Sequence, residues 1–449
     1  MQCAAIIETA WREPAKVLAA FADEPWSIGF LSGGAAQDAR WSFVARQPDR
    51  TAVLSPDDPR DPFAVLRGLI GETAPTIADG PPFQGGVAGL AGYDLGARIE
   101  AAGAGSHPRW PHLACARYPA VLAFDHGEQV VLAVGRGADE ASAKAAARRA
   151  AAWLGAEAPP SPAGALAAPP LGSPAGDYEA AVAQVVARIA AGEIFQANIA
   201  RRWTGTLAPG ARPFDLMARL ARTSPAPFAA YLRLDGLALV SNSPERFVQV
   251  RPAAGGLVAR TQPIKGTRPR GATPAEDTAL AEALAASLKD RAENLMIVDL
   301  MRNDLARVCA AGGVKTPELF RVESFVNVHH LVSTVTGALS PGRTAIDLLR
   351  AAFPPGSITG APKVQAMKVI GELEPPRGPF FGSMFWAGAD GALDASVLIR
   401  TVGFERSADG WDFEARAGAG IVADSDPLAE RLETEAKISA VLKALAGEA

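Results

Sequence analysis

Arg260-Thr261-Gln262-Pro263-Ile264-Lys265-Gly266-Thr267-Arg268-Pro269-Arg270 follows closely on Ser243-Pro244-Glu245-Arg246-Phe247, which sets an amine and a carboxyl a short hairpin apart. A lysine amine becomes a nucleophile when burial or a cationic neighbour lowers its pKa from about 10.4 toward 7–8. Pro263 stiffens the entry to this segment, and Gly266 permits a close backbone approach. Arg260, Arg268 and Arg270 all lie within five residues of Lys265 and are candidate cationic neighbours. A lysine chosen at random is a solvated turn residue; these flanks favour a nucleophile, Lys265, with an acid, Glu245, beside it.

A chain of 449 residues with 49% hydrophobic content has room for two or three ordinary domains and a large core. The net charge of -4 and a pI near 5.9 leave no electrostatic footprint for nucleic acid. Cys3, Cys115 and Cys309 are odd in number and far apart, which argues against a disulfide framework and fits a reducing compartment. Neither they nor the five histidines show zinc-ligand spacing. The start, Met1 to Glu8, lacks a basic region followed by a long apolar run, and nowhere do about 18 uninterrupted apolar residues appear. The expectation is a soluble cytoplasmic protein with no membrane partner.

The main composition break runs from Ala156 to Gly176, rich in proline, alanine and glycine, and reads as a linker or excursion. Before it, Arg40 to Ala45 and Ala120 to Phe124 read as strands, Gly85 to Tyr93 as a glycine-rich strand or turn, and Ala138 to Leu154 as a helix. After it, Asp177 caps an expected helix to about Ala191, with Ala181, Val182, Val185, Val186 and Ile189 at helical spacing. Strands are expected over 196–203, 228–234 and 237–241, and helices over 278–288 and 290–302. Hairpins mixed with helices, without regular alternation, indicate α+β.

Asp290 and Glu293 are three apart, so both carboxylates project from one helix face. A second helix begins after Asp426, a suitable cap, with Pro427 at its first position. On it Glu430, Glu433 and Lys437 again share a face. Two such faces make a hard oxygen site suited to Mg²⁺, which keeps waters and binds through a few carboxylates plus substrate. Taken singly, each pair reads rather as solvated surface charge.

Arg416-Ala417-Gly418-Ala419-Gly420 leads into that second helix, and its glycines let backbone amides approach an anion. Arg400 supplies a guanidinium able to hold a carboxylate bidentately, and Lys437 adds a point charge. As isolated residues they read as a structural ion pair and turn formers. Gly356-Ser357-Ile358-Thr359-Gly360-Ala361-Pro362-Lys363 superficially suggests a phosphate loop but lacks the GK[ST] ending. His330 sits in an apolar stretch, where a histidine is more often a satisfied core residue.

Densely from about Asp177 to Leu445, and more weakly before, the chain resembles the chorismate-utilising enzymes. In that family the PIKGT lysine separates aminodeoxychorismate synthases from anthranilate synthases, which usually carry alanine there. The resemblance implies four α/β/β/α layers around two orthogonally packed antiparallel sheets, with residues 1–155 as N-terminal region, 156–176 as linker and 177–445 as chorismate-binding catalytic domain. It implies Mg²⁺ on Glu293 and Glu433, with Asp290 and Glu430 in supporting positions. It further implies chorismate contacts from Arg400, Gly418, Gly420 and Lys437, with Ser357 of the GSITGAPK element shaping the pocket and His330 facing the ring.

The implied reaction converts chorismate and ammonia to 4-amino-4-deoxychorismate, toward p-aminobenzoate and folate, through attack of Lys265 on ring C2 with Glu245 as general acid. Isochorismate and salicylate synthases carry a water-activating lysine at the position of Gln196, and glutamine cannot serve as that base. No Gly-x-Cys-x-Gly glutaminase segment occurs, so a separate glutamine amidotransferase is expected to supply ammonia. Ile6-Ile7-Glu8-Thr9 weakly resembles the tryptophan-pocket segment of related enzymes and reads equally as an edge strand. The family's tyrosine in the RG-x-Y segment is Phe380 here, and the following Gly-Tyr is Phe385-Trp386. Two rivals stand beside this reading. Anthranilate synthase component I is opposed by Lys265, and a non-catalytic chorismate-binding regulatory subunit by the retention of Glu245 and the metal carboxylates.

Overall fold

A computed structural model describes residues 3–33, 39–100, 102, 105–324 and 328–448. Among them run a twelve-stranded and a ten-stranded sheet, antiparallel throughout, with helices on the outer faces, so the fold is α+β. The larger sheet places Cys3–Ala10 at one edge, followed by Val130–Gly137, Ala120–Asp125, Trp41–Ala45 and Ile28–Phe30. It then passes to Phe228–Leu234, Leu237–Ser243, Thr401–Arg406, Trp411–Ile421 and Gln196–Thr206. The smaller sheet runs from Ile264–Pro269 through Val328–Leu339 and Arg246–Ala253 to Ser383–Gly388, then to Gly86–Ala91 and Leu113–Tyr118.

Both sheets are therefore shared by strands from either side of the 156–176 break. Ile28–Phe30 pairs with Phe228–Leu234, and Gly86–Ala91 pairs with Ser383–Gly388. The break marks a change of composition and does not separate two architectural units. It also contains the short strand Leu171–Gly172, paired to Gln196–Thr206.

Strand periodicity explains the layers. Successive side chains point to opposite faces, so Leu122 and Phe124 enter the core under one set of helices while Val121 and Ala123 enter the core between the sheets. The smaller sheet repeats the pattern: Val87 and Ala91 face outward to helices, and Ala88 and Leu90 face the other sheet. Such strands are buried on both faces, which is why they read as continuous apolar runs.

Helix boundaries refine the sequence expectations. The helix expected from Asp177 spans Ala175–Ala190, with Pro174 at the cap position and Asp177 inside the first turn. The two helices expected over 278–288 and 290–302 extend to Pro274–Ala286 and Leu288–Ala306. The second carboxylate helix, Pro427–Ala446, starts as expected: Asp426 accepts from the Ala429 amide at 2.8 Å, a cap contributing about 1 kcal/mol. Among the described residues no helix is long and apolar enough to cross a membrane.

Candidate active site

Lys265 lies on Ile264–Pro269, whose pairing with Val328–Leu339 slips register between Lys265 and Thr267. Gly266 makes the bulge possible. Its φ is 78°, and a Cβ there would meet the Asp290 side chain and Leu284 at 2.9 Å. A bulge re-aims the neighbouring side chain, and here Lys265 enters the wall of a cavity of about 740 Å³. Burial pushes its amine below the usual lysine range, and Lys437 adds to this; Glu293, Glu245 and Glu433 oppose it.

The expected cationic neighbours are differently employed. Arg268 pairs with Asp290 at 2.9 Å and Arg270 with Asp277 at 2.6 Å, so their charges are matched by carboxylates. Lys437, from the far end of the sequence, is the cation that acts on Lys265.

Glu245 shares the cavity and is 7% exposed. Ser357 Oγ donates to its Oε1 at 2.7 Å. Burial pushes the Glu245 carboxyl above the usual range, against the pull of Ser357, Lys265 and Lys437. The turn carrying Ser357, Gly356–Ile358, packs directly on the first carboxylate helix, because a Cβ at Gly356 would collide with Leu300. The GSITGAPK element thus holds a hydroxyl against Glu245 rather than cradling phosphate.

Arg400, Gly418, Gly420, Lys437 and His330 line the same cavity. Arg400 has φ 51°, and among the described residues its guanidinium has no hydrogen-bond or ion-pair partner. Burial lowers its pKa with no carboxylate in opposition. Such a guanidinium is suited to an anionic ligand. His330 Nδ1 lies 2.9 Å from Thr267 Oγ1. Burial first and Arg400 second push it down to about 4, so it is neutral at pH 7. Gly420 stands opposite Asn198 and Gly418 opposite Ala200 in the pairing of Trp411–Ile421 with Gln196–Thr206. A Cβ at Gly420 would collide with the Gln196 amide and stand 3.2 Å from Lys265 Nζ. Lys437 Nζ donates to Gly418 O at 3.0 Å and pairs with Glu433 at 2.6 Å.

All four carboxylates expected at a metal line this cavity. They are not equally available. Asp290 is held by Arg268, and Glu430 accepts from Ser425 Oγ at 2.7 Å. Burial raises Glu430, partly offset by Ser425. Glu293 has Lys289 as its ion-pair partner, 4.0 Å off, and burial together with Asp290 and Glu433 pushes its pKa up. Burial also works against ionised Glu433, but Lys437 prevails and holds it low. Among the described residues no three of His, Cys, Asp and Glu come together as a metal-holding group. The carboxylate oxygens of Glu293 and Glu433 on the cavity wall are of the type that takes Mg²⁺ together with substrate and water, with Lys437 as the present partner of Glu433.

Ile6 to Thr9 lies in the edge strand Cys3–Ala10, paired to Val130–Gly137. A smaller cavity of about 230 Å³, lined by Ser32, Trp41, Arg246 and Trp386 among others, takes no residue from that strand. Phe380 is 2% exposed beneath Arg416 and belongs to the core; its neighbour Phe381 is the one that lines the large cavity. Sequence reasoning missed Asn198, a buried residue of the cavity wall whose only signal was a polar side chain between Ala197 and Ile199.

A lowered amine, a raised carboxyl and a guanidinium that no carboxylate opposes thus share one cavity. The chain belongs to the chorismate binding enzyme family, which matches residues 22–443. It is 39% identical to aminodeoxychorismate synthase component 1 of Klebsiella aerogenes, over 98% of this chain and 99% of that one. It is 40% identical to anthranilate synthase component 1 of Streptomyces coelicolor, over 94% and 84% respectively. The fold matches the crystal structure of anthranilate synthase component I from Streptococcus pneumoniae TIGR4 with a TM-score of 0.78, at 28% identity and covering 91% and 93%. The protein is a chorismate-utilising enzyme.

Proposed function

We propose that the protein aminates chorismate at C4 to give 4-amino-4-deoxychorismate. The observation that carries this reading is Lys265, a depressed amine in the wall of the cavity that also holds Glu245. Relatives named for aminodeoxychorismate and anthranilate synthases are about equally similar, so the choice between products rests on this lysine.

Lys265 Nζ bonds to C2 as both conjugated ring double bonds shift, C1=C2 to C1=C6 and C5=C6 to C4=C5, and the C4–O bond breaks. The hydroxyl leaves as water with the proton of Glu245, whose raised pKa keeps that proton available. Ammonia then bonds to C4, both double bonds shift back to C5=C6 and C1=C2, and the C2–Nζ bond breaks to free the lysine. The carboxylate of Glu245 recovers a proton from the product ammonium. The pyruvyl ether is untouched. Arg400 and Lys437 would face the substrate carboxylates, and neutral His330 the ring. Glu293 and Glu433 would hold Mg²⁺, which supplies charge stabilisation at a substrate carboxylate when bound. A separate glutamine amidotransferase would deliver the ammonia, as the name "component 1" of the relatives suggests.

Incubation of the chain with chorismate, Mg²⁺ and ammonium, with chromatographic identification of the product, tests the reading. 4-Amino-4-deoxychorismate is expected; anthranilate with released pyruvate would replace it with the rival assignment.

A further inference from the structure

Asn294 is 0% exposed on the helix Leu288–Ala306, one residue after Glu293. Its side-chain amide reaches two carbonyls beside the nucleophilic lysine. Nδ2 donates to Pro263 O at 3.4 Å and to Leu331 O at 3.3 Å. Pro263 stands two residues before Lys265, and Leu331 is the residue paired with Lys265 in the sheet. Ser333 Oγ donates to Asn294 Oδ1 at 2.6 Å and accepts from the Phe320 amide at 3.0 Å, which fixes the way the Asn294 side chain points. Ser333 N also donates to Pro263 O at 3.2 Å, so that carbonyl is held from two directions. A buried amide with both ends satisfied specifies one arrangement of the elements it joins. The bulge makes this tie consequential. The ladder slips register directly after Lys265, where regular pairing is lost, and Gly266 abuts Asp290 of the same helix. The lysine segment is therefore fixed by the helix as much as by the sheet.

We propose that Asn294 is a positioning residue, tying the segment that carries Lys265 to the helical turn that carries Glu293, so that amine and carboxylate keep one spacing in the cavity. The inference rests on the reading of Lys265 as nucleophile. Neither Asn294 nor Ser333 is among the described residues that line the cavity, so both act through their neighbours. A leucine of similar volume would fill the space equally well. It could not hold the two carbonyls, because apolar contact is non-directional whereas a hydrogen bond fixes direction.

Asn294→Leu removes donor and acceptor together; Ser333→Ala, a smaller change, removes only the hydroxyl that orients the amide. Both are compared with wild type in the rate at which chorismate and Mg²⁺, without ammonia, modify Lys265, followed by quenched mass spectrometry across chorismate concentrations. The limiting rate per folded enzyme should fall about tenfold in Asn294→Leu, the size of one lost hydrogen bond, and about threefold in Ser333→Ala. The chorismate concentration giving half that rate should stay within about twofold of wild type, because Arg400 and Lys437 are untouched. A purely structural role would lower the melting temperature and leave the limiting rate per folded enzyme at the wild-type value. That result, or a rise in half-saturating chorismate equal to the fall in rate, overturns the positioning role and leaves Lys265 as nucleophile. Should Asn294→Leu not fold, Ser333→Ala decides on the same criteria. Wild-type enzyme whose Lys265 stays unmodified overturns the nucleophile reading and the positioning role together.

Discussion

Ser357 Oγ donates a 2.7 Å hydrogen bond to Glu245 Oε1, and this contact restrains a carboxyl that burial otherwise drives upward. Ser357→Ala removes the donor that favours the ionised form. Glu245 should then hold its proton to higher pH, and the limb of the kcat/KM profile assigned to it should move up by about one pH unit. A downward shift, or none, would separate Ser357 from the acid.

Gly420→Ala introduces a Cβ 3.2 Å from Lys265 Nζ and against the Gln196 amide. Neither partner is a free surface chain, so the amine is displaced. A loss of about 100-fold in kcat is expected, with an unchanged circular dichroism spectrum, since displacements of about 1 Å carry costs of that order. Near-normal kcat would mean that the lysine position is not critical.

Glu433→Gln tests the metal proposal. The variant should need about tenfold or more Mg²⁺ for half-maximal activity, while EDTA should silence the wild type reversibly. An unchanged Mg²⁺ titration would remove Glu433 from the ligands and leave its pairing with Lys437 as its role.

His330 gives a pH prediction for stability. Its folded pKa of about 4 lies below the ordinary 6.5, so between these values the unfolded chain takes up a proton that the folded one refuses. Stability is therefore full above pH 6.5 and is lost as pH falls toward 4. From pH 7 to pH 5 the wild type should lose about 2 kcal/mol more unfolding free energy than His330→Gln, measured by urea titration. Equal losses would contradict a buried, neutral imidazole.

The sequence disclosed features whose cause is local. Asp426 and Pro427 start their helix because capping chemistry depends on adjacent residues, and Gly266 permits the bulge beside Lys265 because only its own φ is at stake. Features created by distant pairing stayed hidden. The three arginines near Lys265 looked like its electrostatic partners, but tertiary contacts give Arg268 to Asp290 and Arg270 to Asp277, and Lys437 takes the role. The proline-rich break looked like a boundary between units, but strands cross it in both sheets. Asn198 enters the cavity wall opposite Gly420, a pairing that no local pattern announces. Unequal availability among the four carboxylates likewise depends on Arg268, Ser425 and Lys437, each brought in by the fold or by a helical turn.

The central claim is that Lys265 bonds to the substrate, and mass spectrometry tests it most directly. Enzyme incubated with chorismate and Mg²⁺ but no ammonia should carry an adduct of chorismate less one water on the peptide containing Lys265. Lys265→Ala should lack it, and Lys265→Arg, which keeps the charge without a competent nucleophile, should lack both adduct and turnover. Full turnover by Lys265→Arg, or a wild-type peptide that remains unmodified while the enzyme is active on adding ammonia, would contradict covalent catalysis by this lysine.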